Sequence, residues 1–189
     1  LARTALPGLG TESHDITFSD DGKRAYSAAL SHGVVIDTTN PGAPKILTEF
    51  DDESINVWHQ SDPVTIQTSE GPKTFLLAED EFAGAAGGPV CPSGGVHVYD
   101  ITGEREKAPV KVGYWNIDDF GPTNDPEGTC TAHVFDVKED EQLMTMAFYN
   151  GGVRVIDLAG LATGEGLKAI GSYQTENADT WSFKAPWVS

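Results

Sequence analysis

Apolar residues alternate with polar ones in short runs along the chain, and clusters of Gly, Pro, Asn and Asp separate the runs. A period of two is that of a strand with one buried face, and such punctuation supplies its turns. One phrase recurs three times: a glycine, a β-branched run and an aspartate. It reads Gly33-Val34-Val35-Ile36-Asp37, then Gly95-Val96-His97-Val98-Tyr99-Asp100, then Gly152-Val153-Arg154-Val155-Ile156-Asp157. Upstream of each copy a histidine opens another strand-like run: His14, His59 and His133. The histidine-to-aspartate separations are 23, 41 and 24, and an Ala/Gly-rich insertion accounts for most of the longer middle value. Self-similarity on this scale marks a repeat architecture.

The pattern predicts four strands in the first unit, at 14–18, 23–29, 34–37 and 45–50, with Asp21-Gly22 as a hairpin turn. The second unit repeats them at 57–68, 73–78, 96–101 and 110–117, and the third at 132–137, 143–149, 153–158 and 167–173. No amphipathic helix of ten residues is evident. A small four-stranded sheet has two apolar faces and is not stable alone. Radial stacking buries both faces, which is the β-propeller solution. The expectation is therefore all-β: a propeller segment of about three four-stranded blades and the start of a fourth. Within one partial domain, 1–189, the blades fall at 12–50, at 57–117 with an insertion at 80–93, and at 131–174, the next opening at 178–189. Three and a fraction blades do not close a ring, so the remaining blades are expected from the same polypeptide or another chain, by homo-oligomerisation or within an extracellular assembly.

The run SHDITFSDDGKRAYSA…GVVIDTTNPGAPKIL resembles the LVIVD-repeat propellers, and AHVFDVKEDEQLMTMAFYNGGVRVIDLAG follows the same plan without its Asn-Pro turn. That family consists of secreted bacterial proteins, mostly of unassigned function. The resemblance implies a fold and a secreted or extracellular location, and it names no activity.

Charge narrows the partners. With 12 Lys+Arg against 29 Asp+Glu the net charge is −17, which disfavours nucleic acid and anionic membrane surfaces. No apolar run reaches the length of a membrane span. Cys91 and Cys130 each lie in a Pro/Gly-rich loop before a strand, a placement that suits a disulfide formed in an oxidising compartment; two free thiols are the alternative.

The candidate chemistry centres on His14, His59 and His133. First strands line a propeller's channel, so equivalent positions on successive blades converge near one mouth. Neutral imidazoles there can hold Zn, Cu or Fe; the alternative is that each ring hydrogen-bonds within its own blade. His32 lies in a turn, and His97 faces solvent or a neighbouring blade. The acidic groups Glu79-Asp80-Glu81 and Asp118-Asp119 with Asp125 suggest Ca²⁺, without the spaced loop that binds it in helix–loop–helix sites. The phrase-ending aspartates are expected to cap turns, and Trp58, Trp115 and Trp181 to pack between blades. Function is expected to be that of a binding or assembly scaffold. A metal-dependent enzyme, an oxidoreductase in one version, and a purely structural module are the alternatives.

Overall fold

The computed structural model describes residues 13–82, 92–117, 130–174 and 179–182. They form three four-stranded antiparallel sheets, each a meander in chain order. The first contains β1 (Asp15–Phe18), β2 (Arg24–Ala28), β3 (Gly33–Asp37) and β4 (Lys45–Phe50). The second contains β5 (Trp58–Thr68), β6 (Gly71–Asp80), β7 (Gly95–Asp100) and β8 (Val110–Trp115). In the third are β9 (Phe135–Lys138), β10 (Leu143–Ala147), β11 (Val153–Asp157) and β12 (Lys168–Tyr173). The first strands stand together, β5 touching both β1 and β9. The sheets are the blades of a propeller segment, with their first strands innermost.

The repeated phrase is the third strand of every blade. Each copy carries a register shift against the fourth strand at the same place: Val35/Ile36, Val98/Tyr99 and Val155/Ile156. Such irregularities add the twist a radial sheet needs. The closing aspartates cap the following turn as the sequence predicts. Asp37, Asp100 and Asp157 accept the backbone N–H of Thr39, Thr102 and Ala159 at 2.9, 2.8 and 2.8 Å.

Two apolar layers lock the blades together. Between the first and second, Trp58 is wholly buried among Tyr26, Val35, Leu76 and Tyr99, with Phe50 edge-on to its ring. A Cβ on Gly33 would stand 2.8 Å from the Trp58 ring, so this phrase glycine admits the indole. Between the second and third, Phe75, Leu77 and Val98 meet Phe135, Met144 and Met146. Trp115 packs on this layer as expected, but Trp181 does not: it is 61 % exposed, beside His133 and Tyr149.

After the second strand the chain turns through a left-handed residue, Leu30 (φ 60°) in blade one and Tyr149 (φ 45°) in blade three. Each then bridges to the opening of the next blade, Leu30 to Trp58 and Tyr149 to Thr180. The Thr180 bridge is the start of the fourth blade. Cys130 is fully buried and is not a free thiol; its expected partner Cys91 lies outside the described residues, as do Asp118, Asp119 and Asp125. No helix among the described residues is long and apolar enough to cross a membrane.

Candidate metal centre at the channel mouth

Repeat geometry brings the three histidines together. His14 and His133 each donate a backbone N–H to the last residue of their own second strand, Ala28 and Ala147, at 2.8 and 2.9 Å. His59 sits in a register shift of β5 between Trp58 and Gln60, opposite the end of β6. Their rings form a row, with centroids 4.5 Å apart for His14–His59 and 4.6 Å for His59–His133.

The blades differ in what faces that row. Opposite Gly33, Val96 and Val153, four residues before each phrase aspartate, stand Ala28, Glu79 and Ala147. Two residues further on are Leu30, Glu81 and Tyr149. Blade two thus has glutamates where its neighbours have alanine, leucine or tyrosine. Asp80, between them, is turned to the backbone, where its carboxylate accepts the N–H groups of Asn56 and Val57 at 3.0 and 2.8 Å.

Glu81 lies between two imidazoles. Its Oε2 is 3.4 Å from His59 Nε2 and its Oε1 is 3.7 Å from His133 Nε2. Tyr149 donates its hydroxyl to Oε1. One ligand atom from each of His59, Glu81 and His133 can be chosen so that all lie within 4.8 Å of one another. Ligand atoms about 2.0–2.1 Å from a tetrahedral ion are roughly 3.3 Å apart, close to the two Glu81 distances. The opposite nitrogens have oxygens behind them. His133 Nδ1 meets the carbonyl of Trp181, and His59 Nδ1 lies 2.9 Å from Glu79 Oε2. Both Nε2 atoms therefore face the central carboxylate.

Electrostatics suit a cation. Burial holds the His59 and His133 pKa values below the ordinary range although Glu81 opposes it, so the rings are neutral and carry lone pairs. Burial, with the charges of Glu81, Asp80 and Asp15 behind it, raises the Glu79 pKa well above the ordinary range. Burial also raises the Tyr149 pKa, and its hydrogen bond to Glu81 adds to the shift. Glu79 is fully buried, and neither of its oxygens completes a well-angled hydrogen bond. A buried acidic group left this way lacks compensation that a bound cation would supply.

The sequence-predicted histidines are thus gathered, with His59 and His133 in the candidate ligand set and the exposed His14 ring tilted against that of His59. The other two do not join them. His32 is buried with its Nδ1 2.9 Å from Ser31 Oγ, and His97 is buried against Tyr114. The acidic run that suggests Ca²⁺ in the sequence is divided among Glu81 at the site, Glu79 behind it and Asp80 on the backbone. Further along the first strands, Asp62 accepts hydrogen bonds from Thr17 and Gln60 while burial raises its pKa to about 6.

No family model matches the chain, and no curated protein matches it. Its fold is found among solved structures. It is similar to a candidate 6-phosphogluconolactonase from Bacteroides fragilis, with a TM-score of 0.57 and 15 % identity over 89 % of this chain and 41 % of that one. A candidate 6-phosphogluconolactonase from Bacteroides uniformis gives 0.54 and 14 % over 86 % and 40 %. A periplasmic gluconolactonase from Pseudomonas aeruginosa gives 0.51 and 13 % over 90 % and 42 %. The chain spans about two fifths of the length of these structures, and identities this low establish the fold alone.

Proposed function

We propose that the channel mouth holds a divalent transition metal, Zn²⁺ first among them, on His59, His133 and Glu81, and that a propeller built on this chain uses it to hydrolyse a carbonyl ester or lactone. The convergence of two imidazole Nε2 atoms on one carboxylate carries the reading. Two histidines and a glutamate with room for water form a donor set that suits catalytic zinc. Such an ion supplies a Lewis acid and a water acidic enough to attack at neutral pH.

The chain's own residues divide the remaining work. Glu81 offers two oxygens, one taken by the Tyr149 hydroxyl. His14, exposed at the edge of the row, is placed to accept the proton that the attacking water gives up. Water oxygen bonds to the carbonyl carbon, the ring C–O bond breaks, and the proton passes to the leaving alkoxide, giving a hydroxy acid. Among the described residues, the charged groups acting most strongly on His59, His133 and Glu79 are carboxylates and histidines. Those acidic surroundings favour a neutral substrate over a phosphorylated one, and of the fold neighbours' names it is that of the periplasmic gluconolactonase that makes an unphosphorylated sugar lactone the first to try.

The test is equilibrium dialysis of the metal-stripped protein against Zn²⁺, followed by acid release measured with gluconolactone. One ion per chain is expected, lost in H59A and H133A, with zinc-dependent hydrolysis. Failure of the wild-type chain to retain zinc overturns the reading.

A scaffold role is the second reading, favoured by the apolar side chains left open on outer strands. These include Val110, Val112 and Tyr114 of β8 and Ile170 and Tyr173 of β12.

A further inference from the structure

We propose that Glu79 is the positioning residue of this centre: its carboxylate receives the Nδ1–H of His59 and fixes the ring with Nε2 toward the ion. The inference rests on the metal reading above and adds a residue outside the ligand set.

A histidine that binds a metal through Nε2 carries its hydrogen on Nδ1, and that hydrogen needs an acceptor. Metal-bound histidines obtain it from a carboxylate or a carbonyl, which sets the tautomer and the ring plane. Both kinds are present. His133 has the Trp181 carbonyl on its Nδ1, and His59 has Glu79 Oε2 at 2.9 Å. This explains the departure from the repeat. Blade three can keep alanine at this place, Ala147, because its acceptor comes from the start of the next blade. Among the described residues blade two has no such carbonyl on His59 Nδ1 and carries glutamate instead. In blade one the Ala28 side chain offers the His14 ring no acceptor, consistent with a ring outside the ligand set.

An acidic side chain with no exposed surface and no completed hydrogen bond is costly to maintain for packing alone. The Nδ1 and Oε2 atoms are at hydrogen-bond distance, but their present angle completes no bond. A small rotation of the imidazole as Nε2 meets the ion would align them.

The experiment compares Zn²⁺ affinity, by competition with a chromophoric chelator, with thermal stability of the metal-free protein for wild type, E79L and E79Q. The expected result for E79L is a 10- to 100-fold weaker affinity with a melting temperature equal to or above wild type, because a buried polar group whose oxygens complete no hydrogen bond is removed. E79Q loses several-fold. A packing role would give the reverse, a lower melting temperature at unchanged affinity, and that outcome overturns the proposal. Should E79L not fold, E79Q decides alone: wild-type affinity overturns it. Absence of zinc binding by wild type would instead defeat the metal reading itself.

Discussion

His97 shows how a single residue can depart from the repeat without joining the site. It occupies the place of Val34 in the phrase, is 2 % exposed, and its two ring nitrogens complete no hydrogen bond. Burial, aided by Lys111 and opposed by Asp52, lowers its pKa to about 4. The unfolded chain takes up a proton on this residue near pH 6.5, so the neutral ring's stabilisation is complete above that value and is lost as pH falls toward 4. Between pH 7 and 4.5 this histidine should cost roughly 2 kcal/mol. Melting curves at fixed protein concentration should show H97L falling less than wild type over that interval, and parallel curves would refute the assignment. The histidines of the mouth were legible because they open each repeat. Glu79 and Glu81 were legible only as part of an acidic run. Their signal, glutamates where sister blades carry alanine, leucine or tyrosine, emerges once strand register aligns the blades. Asp80 sits between them in sequence yet turns to the backbone, which adjacency alone does not reveal.

Among the elements, strands were the most legible because alternation and turn chemistry agree with the burial each strand achieves. The first strands were harder. β9 begins at Phe135 rather than at 132, because Ala132 and His133 join neighbouring chain through single bonds, to Ser93 and Ala147, before a regular ladder starts. β5 holds a feature no periodicity announces: Gln60 reaches across to the next blade. Its Nε2 donates to the Phe135 carbonyl at 2.9 Å and its Oε1 accepts the Phe135 N–H at 2.8 Å. One buried amide thus supplies the pairing that β5 and β9 do not make through their backbones. Q60A leaves a buried donor and acceptor without partners, at about 1–3 kcal/mol each. The variant should melt several degrees lower, and the Phe135 amide should lose its protection against hydrogen exchange. Protection unchanged from wild type would show that the bridge is dispensable.

For the whole molecule, the decisive comparison is between equivalent faces of the three blades. Register places Ile16 with Ser61 and Phe135, and Phe18 with Pro63 and Val137. Ser61 and Phe135 are 1 % and 5 % exposed beneath the preceding blade, whereas Ile16 and Phe18 are 44 % and 56 % exposed. The side chains keep the repeat's inward character, and the difference is that no blade among the described residues covers them. Apolar groups aligned on a strand with its outer edge unpaired invite pairing with another chain. The solved structures of this fold also extend well beyond the matched segment. Expressed alone, residues 1–189 should self-associate through this face and elute with a mass above 20.2 kDa by light scattering. The double substitution Ile16→Glu and Phe18→Glu should shift the population toward the single chain, because the new carboxylates remain solvated in the monomer and would be desolvated beneath any covering sheet. It should leave zinc affinity within a few-fold of wild type, since neither residue belongs to the ligand set. A wild-type chain that runs as a monomer at tens of micromolar and binds no hydrophobic dye would show instead that blade one tolerates its open face.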